Sequence, residues 1–506
     1  MQGLAPHAPF IGSDKPQKPL RNHNNPMTSP AFLPPSSSQK TLQNSCAWAW
    51  SLFVCLTVLL APALWNGFAI VFFDTGGYVE RVLKMTLAPG RSLFYGFFLW
   101  AMSLDWYSFW GPILAQSLFT LWIIHLTLRC HDLPAGPITT AAFCTGLAGL
   151  TGISWYTSQL MPDILVPLMV LGLWLLGFRW DRLTWSERGA LAALILLGLL
   201  SHMSCMALAM GLILGILLVK LALRRREGSL PIFLLPPTAV VAAGLILMPM
   251  LHLCLTGKAC YTPGGPVFIF GRLVQDGIAQ RWLAENCPAP GIRLCGLQDR
   301  IPKTADDFLW GDTSPFQDLG GWSGTADAEL GFLVQASIKA YPGTFIRTSL
   351  EATALQMIKV ATGDGLDEFQ PAARGVFTNL LPRTAQSFNA AQQQQELITQ
   401  AIFDFLNGVH VPVAYFSMLG LLLIAFWGLR NKRHDLAGLA LFTLLALLGN
   451  AFICGALSNP HDRYQGRLVW IAPLVCGMVL MAYRQQYKKN RHVSRSSGLE
   501  KTQGSF

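Results

Sequence analysis

Polar and apolar positions along this chain alternate on the scale of a bilayer rather than of a globular core. Spanning helices need about 20 apolar residues, somewhat fewer when capped by loops. Runs of that kind lie near 47–70, 107–128, 137–153, 162–178, 189–203, 205–223, 232–254, 410–429, 435–457 and 467–484. They predict an all-α polytopic membrane protein with about ten transmembrane helices. The stretch 189–223 reads as two short helices joined at Ser201-His202-Met203-Ser204. One continuous helix would put either Arg179 and Arg182 or Arg224 to Arg226 on the side that basic loops avoid.

Basic residues orient the spans. Arg129, Arg179 to Arg188, Arg224 to Arg226, Arg430 to Arg433 and the run from Arg484 to Arg495 all share one side when ten spans alternate, and that side is cytoplasmic by the positive-inside rule. Both termini are then cytoplasmic. Residues 1–46, rich in Pro, Ser, Asn and Gln and without an apolar period, read as a disordered cytoplasmic tail, and 485–506 as a basic one. The same parity places loop 71–106 outside, where Ser92 to Leu104, with Phe94, Tyr95, Phe98 and Trp100, reads as an interfacial helix. It also divides the chain into spans one to seven over 47–254, a polar extracytoplasmic insertion over 255–408 and spans eight to ten over 409–484. The insertion is far longer than a connecting loop and shows helical periodicity over 329–360 and 390–408.

Composition agrees with this organisation. The chain has 506 residues, 52% of them hydrophobic and 13% charged, with a mean hydropathy of +0.40, which excludes a water-soluble globule. Its net charge of +10 resides in loops beside apolar spans, so no nucleic-acid partner follows from it. Most of the 11 cysteines are scattered singly through apolar runs. Within the insertion, Cys287 and Cys295 flank the turn-forming Pro288-Ala289-Pro290-Gly291 and are the expected disulfide pair in an oxidising compartment. The insertion carries no nucleophile elbow, phosphate-cradling glycine loop or metal-ligand cluster, and its adjacent Asp306 and Asp307 read as solvated acids.

Four polar clusters share the outer face. Asp74, Glu80 and Arg91 follow the first span, Asp163 opens the fourth, His202 joins the fifth and sixth, and His461, Arg463, Tyr464 and Arg467 precede the last. Asp74 stands where a helix leaves the bilayer, which marks either a functional carboxylate or a helix cap. Asp163, after Pro162, has the same two readings. Arg463 and Arg467, four residues apart, fall on one helix face, and a guanidinium fork suits a phosphate or pyrophosphate.

Together, Asp74-Thr75-x-x-Tyr78, Gly90-Arg91 ahead of an aromatic interfacial helix, Asp163 opening a later span and Arg463-Tyr464 before a late one resemble the GT-C superfamily of integral-membrane glycosyltransferases, which includes protein mannosyltransferases and the aminoarabinose transferases of lipid A. The resemblance covers about 47–180 and 455–484. It implies a polyprenyl-phosphate sugar donor, a lipid, glycan or protein acceptor, and catalysis at the outer face of a bacterial inner membrane. Asp74 would be the base, and Arg463 and Arg467, with Tyr464, the clamp on the donor phosphate. Glu80, Asp163, His461, His202 and Arg91 would position the acceptor or hold a divalent cation. The chain departs from the mannosyltransferases in lacking an adjacent Asp-Glu pair in the first loop, where Glu80 is the second acid, and in its insertion, which points to a bacterial branch of its own. Rival readings are an O-antigen ligase or polymerase centred on Arg463 and His461, a lipid or sugar-phosphate transporter, and a non-catalytic envelope assembly protein.

Topology is directly testable. Alkaline phosphatase fused at residue 330 is expected to be active and fused at residue 228 silent; the reverse pattern would sink the assignment of sides.

Overall fold

The computed structural model describes residues 37–86, 91–222, 231–257, 259, 261, 264–366 and 371–503, with side chains omitted at 37–43, 222, 256, 372 and 489–503. The expected tail up to residue 36, Gly90, Arg224 to Arg226 and Cys260 lie outside the described residues. A compact unit runs from Ala47 to Phe506.

The described residues form helices and turns, with one isolated parallel bridge, Ile70 to Gln159, and no strand. Six helices are long and apolar enough to cross a membrane: Trp110–Cys130, Met203–Leu221, Leu235–Leu255, Gln400–Arg430, His434–Ala456 and Asp462–Lys488. Asn44–Leu59, Leu93–Met102, Pro137–Leu150 and Pro162–Phe178 are shorter apolar helices. The chain is therefore an all-α protein with the helices of a multi-pass membrane protein.

Local chemistry sets the breaks. Trp185–Ser201 begins with a capping box between Thr184 and Glu187 and ends where His202 turns extended; the next helix starts at Met203. The two-helix reading of 189–223 matches this break. Every side chain from Leu165 to Phe178 is buried, the pattern of a central helix. Gln400–Arg430, in contrast, exposes Phe416, Leu419, Leu422, Leu423 and Phe426 along one side. Ion pairs Arg129–Glu187 (2.7 Å), Arg182–Asp132 (3.0 Å) and Arg179–Asp435 (3.3 Å) tie together the basic ends of these helices.

Part of the insertion has a core of its own, in which Val267, Phe270, Leu273, Phe308, Phe316, Leu330 and Leu333 meet. Cys287 and Cys295 are joined in a disulfide, with Cα atoms 5.5 Å apart. The helical periodicity over 329–360 resolves into Asp327–Ala340 and Pro342–Ile358, interrupted at Tyr341 and Pro342. Over 390–408 a short 3-10 turn, Gln392–Gln395, precedes a helix that starts at Gln400 and runs unbroken to Arg430, past the position where the apolar span was expected to begin. Leu93–Met102 is a helix, capped by Ser92, whose Tyr95, Phe98 and Leu99 pack into the bundle.

Alkylating native, unreduced protein is expected to leave Cys287 and Cys295 untouched, and reduction beforehand to expose both to the reagent. Modification of both thiols without reductant would contradict the bridge.

Candidate functional site

The loop after the first helix is held by its backbone. Ile70 N–H donates to Ser158 O and Leu160 N–H to Ile70 O, both at 2.9 Å. Gln393, from the insertion, clasps the same loop: its Oε1 accepts from Val71 N–H (3.0 Å) and its Nε2 donates to Val71 O (3.0 Å). Thr75 Oγ1 accepts from Phe72 N–H and donates to Leu160 O. These bonds fasten the segment carrying Asp74 beside the segment carrying Asp163, and they satisfy buried backbone groups that no helix or sheet serves.

Asp163 is fully buried, in a single 3-10 turn (Pro162–Ile164), and its carboxylate caps no helix. Oδ1 accepts from Arg467 Nη1 at 3.0 Å and lies 3.8 Å from Arg463 Nε. Arg467 is also fully buried. Its Nη1 donates to His202 Nε2 (2.6 Å), and its Nη2 to Ser204 Oγ (3.1 Å) and Asn450 Oδ1 (3.4 Å). A guanidinium can only donate, so His202 Nε2 accepts from Arg467, while His202 Nδ1 lies 2.9 Å from Ser204 Oγ and 3.3 Å from Ser204 N. An unpaired buried carboxylate is costly, and this donor set is what makes Asp163 tolerable as an anion.

Arg463, one helical turn earlier on Asp462–Val469, faces outward from that cluster. Its guanidinium carbon lies 4.1 Å from the centre of the Phe72 ring and 5.2 Å from that of Tyr464. Arg463 Nη1, Arg467 Nε and Asp163 Oδ2 are buried without a hydrogen-bond partner among the described residues. Buried charged atoms without partners ask for a ligand or water to complete them.

Asp74 belongs to the same neighbourhood. Arg91 donates to Asp74 Oδ1 from Nη2 (2.6 Å) and Nε (3.1 Å), so its second oxygen is not engaged by Arg91. Asp74 makes no capping bond to the helix Thr75–Lys84. Gly77 opens the path between the two, since a Cβ there would sit 2.5 Å from Arg91 Cδ. Burial alone would weaken the Arg91 charge, but the Asp74 carboxylate outweighs it and raises the guanidinium's pKa. Burial, then the Asp74 and Asp163 carboxylates, push the Tyr78 phenol well above its ordinary value, so Tyr78 stays protonated between the two acids. Glu80 turns elsewhere: Lys84, hydrogen-bonded at 2.5 Å, holds its carboxyl below the usual range.

A strap from the insertion closes on these residues. Asp462 Oδ1 accepts from Ala361 N–H (2.9 Å), and Gln356 brackets the His461 backbone, donating to its carbonyl (2.7 Å) and accepting from its N–H (2.9 Å). Asp364 Oδ2 accepts from Arg463 N–H at 3.0 Å, and a Cβ on Gly365, at φ +70°, would strike the Phe72 ring at 2.8 Å. His461 lies between Asp306 (3.5 Å) and Asp364 (3.7 Å). Asp306, read from sequence as solvated, is instead held by the His461 ring, which lowers its pKa against the opposing effect of burial, and by Asn459 (2.7 Å).

Seven of the nine expected site residues thus converge: Asp74, Arg91, Asp163, His202, Arg463, Tyr464 and Arg467. His461 stands at the rim and Glu80 points away. Sequence reasoning missed Asp364 and Asn450. Asn450 did carry a signal, as a polar side chain in the middle of an apolar helix. Among the described residues no group of three or more His, Cys, Asp or Glu is placed to hold a metal ion. No protein-family model, curated protein or solved structure matches this chain.

Replacing Arg467 with Met leaves Asp163 buried with Arg463 as its remaining cation. Breaking a buried pair from one side costs about 3–5 kcal/mol, so Arg467→Met is expected to lower the melting temperature and yield of detergent-solubilised protein, and Asp163→Leu added to it to recover part of the loss. An unchanged melting temperature in the single variant would contradict the pairing.

Proposed function

We propose that the chain is a membrane glycosyltransferase that moves a sugar from a polyprenyl-phosphate donor to a lipid, glycan or protein acceptor on the extracytoplasmic side of a bacterial inner membrane. In this reading about ten spans cross the bilayer, both termini are cytoplasmic, and the fold is GT-C-like. The observation that carries it is the pairing, in one neighbourhood, of a half-buried carboxylate, Asp74, with a guanidinium, Arg463, whose Nη1 has no partner among the described residues. Support for the sides comes from the basic helix ends joined through Arg129, Arg179 and Arg182, which belong to loops other than those that build the site.

The chemistry asks for these two groups. The acceptor oxygen attacks the anomeric carbon, the bond from that carbon to the phosphate oxygen breaks, the acceptor proton passes to Asp74, and polyprenyl phosphate leaves as an anion stabilised by Arg463. Arg91 orients Asp74 through two hydrogen bonds to one of its carboxylate oxygens. Both terminal nitrogens of Arg467 are already committed to Asp163, His202, Ser204 and Asn450, so in this reading it positions Arg463 through Asp163 rather than touching the donor. A second reading, a ligase-like enzyme centred on Arg463 and His461, draws on the placement of the His461 ring between Asp306 and Asp364 beside Arg463.

Three substitutions separate these readings in a strain lacking the gene, with glycolipids, polysaccharides and glycoproteins compared by mass spectrometry. Asp74→Asn keeps the shape and removes the proton acceptor, so turnover is expected to fall by roughly 10²–10⁴ with donor binding little changed. Arg463→Lys keeps charge and loses the fork, so donor affinity and turnover should both drop. A mild Asp74→Asn beside a severe Arg463→Lys and His461→Ala would favour the ligase-like enzyme, and near-normal product from Asp74→Asn would remove Asp74 as the base.

A further inference from the structure

The helix Pro342–Ile358 belongs to the polar insertion, yet its faces are arranged for lipid. The side it buries is small and polar: Ser349, Ala352, Thr353 and Gln356. Among the residues it exposes are Ile346 (59%), Leu350 (64%), Leu355 (46%) and Ile358 (56%). A helix packed in water does the opposite, as Gly265–Gln275 does in the insertion's own core, where Val267, Phe270, Leu273 and Val274 point inward. Small residues inside and large apolar residues outside are how helices associate in a bilayer, because lipid gives no reward for hiding Leu and close backbone approach supplies the attraction.

Its neighbours bear this out. The helix lies against His434–Ala456, one of the long apolar helices, at a contact close enough that a Cβ on Gly455 would meet Ala352 O at 2.6 Å. Thr353 Oγ1 returns its hydrogen bond to Ser349 O within the helix. Tyr415, on the long apolar helix Gln400–Arg430, donates from its hydroxyl to Ile358 O at 2.7 Å. Both long helices also expose large apolar side chains, Leu448 and Phe452 on one and Phe416 on the other.

We infer that Pro342–Ile358 is a lipid-contacting helix, seated in the outer leaflet against the helices His434–Ala456 and Gln400–Arg430, with bilayer lipid as the occupant of its exposed face. The exposed charges on that helix, Arg347 and Glu351, pair with each other at 2.8 Å, which offsets their charge and suits the headgroup region, where long side chains reach water. At 1.5 Å per residue the helix is about 25 Å long, short of the roughly 30 Å hydrocarbon core that a spanning helix must cross. Its end feeds the strap that reaches Asp462 and Arg463, so the membrane surface itself would support the site's roof. The inference rests on the membrane reading of the chain and not on sugar transfer.

The test uses full-length protein reconstituted in vesicles of phosphatidylcholine with a minority of phosphatidylglycerol. In a background of Cys46→Ser, Cys254→Ser and Cys260→Ser, an environment-sensitive fluorophore is attached at Ile346→Cys or Leu350→Cys, with Leu422→Cys as the lipid-facing control and Asp299→Cys as the water-facing one. Phosphatidylcholine brominated on its acyl chains is expected to quench the labels at 346 and 350 several-fold more than iodide does, as at 422. Quenching by iodide as at 299 overturns the inference, because the face then meets water. Shielding from both quenchers also overturns it, because a protein then covers the face. Loss of product in the Asp74→Asn assay leaves these readouts unmoved, so the two proposals fail separately.

Discussion

The structure depends on a carboxylate that water cannot reach. Asp163 is fully enclosed, and an enclosed anion persists when cations and donors surround it. Arg467, Arg463 and the chain of His202, Ser204 and Asn450 around Arg467 supply that surrounding from three separate stretches of sequence. The break between Trp185–Ser201 and Met203–Ala222 acquires its purpose here, since an unbroken helix would not turn both His202 and Ser204 toward one guanidinium.

A consequence is a division of labour between two arginines that look equivalent in sequence. Arg467 commits both terminal nitrogens to the protein, although its Nε, like Arg463 Nη1, has no hydrogen-bond partner among the described residues. Arg463, 13% exposed and stacked on Phe72, keeps a nitrogen in reserve. Asp74 and Arg91 form a second ion pair at the same face, more open to solvent, with Tyr78 between the two acids. A rigid buried pair beside a more open one is the arrangement that holds a reacting group in place while leaving its partner accessible.

Much of the fold was legible because bilayer-length apolar runs and basic loops are strong signals, and the break at His202 followed from charge parity alone. Polar partnership was harder to see. Asp74 and Asp163 carried two readings each, cap or functional acid, and what separates them is whether a partner lies nearby; for Asp163 that partner is 304 residues away in sequence. Gln393, which clasps Val71 from 322 residues away, and Asp364, in a polar stretch of the insertion, belong to segments with no periodic signal. For Pro342–Ile358 the sequence showed helical periodicity within a polar insertion, and the direction in which each residue points appears only once its neighbours are in place.

The proposal turns on Arg463 receiving the donor phosphate beside the Asp74 and Asp163 carboxylates. Native mass spectrometry of the purified protein in nanodiscs, titrated with polyprenyl phosphate, measures it most directly. The account predicts a one-to-one adduct with wild-type protein that is lost in Arg463→Ala while melting temperature holds, and that is retained in Asp74→Asn. An adduct that forms equally well without the Arg463 guanidinium, or that never forms in the wild type, would contradict it.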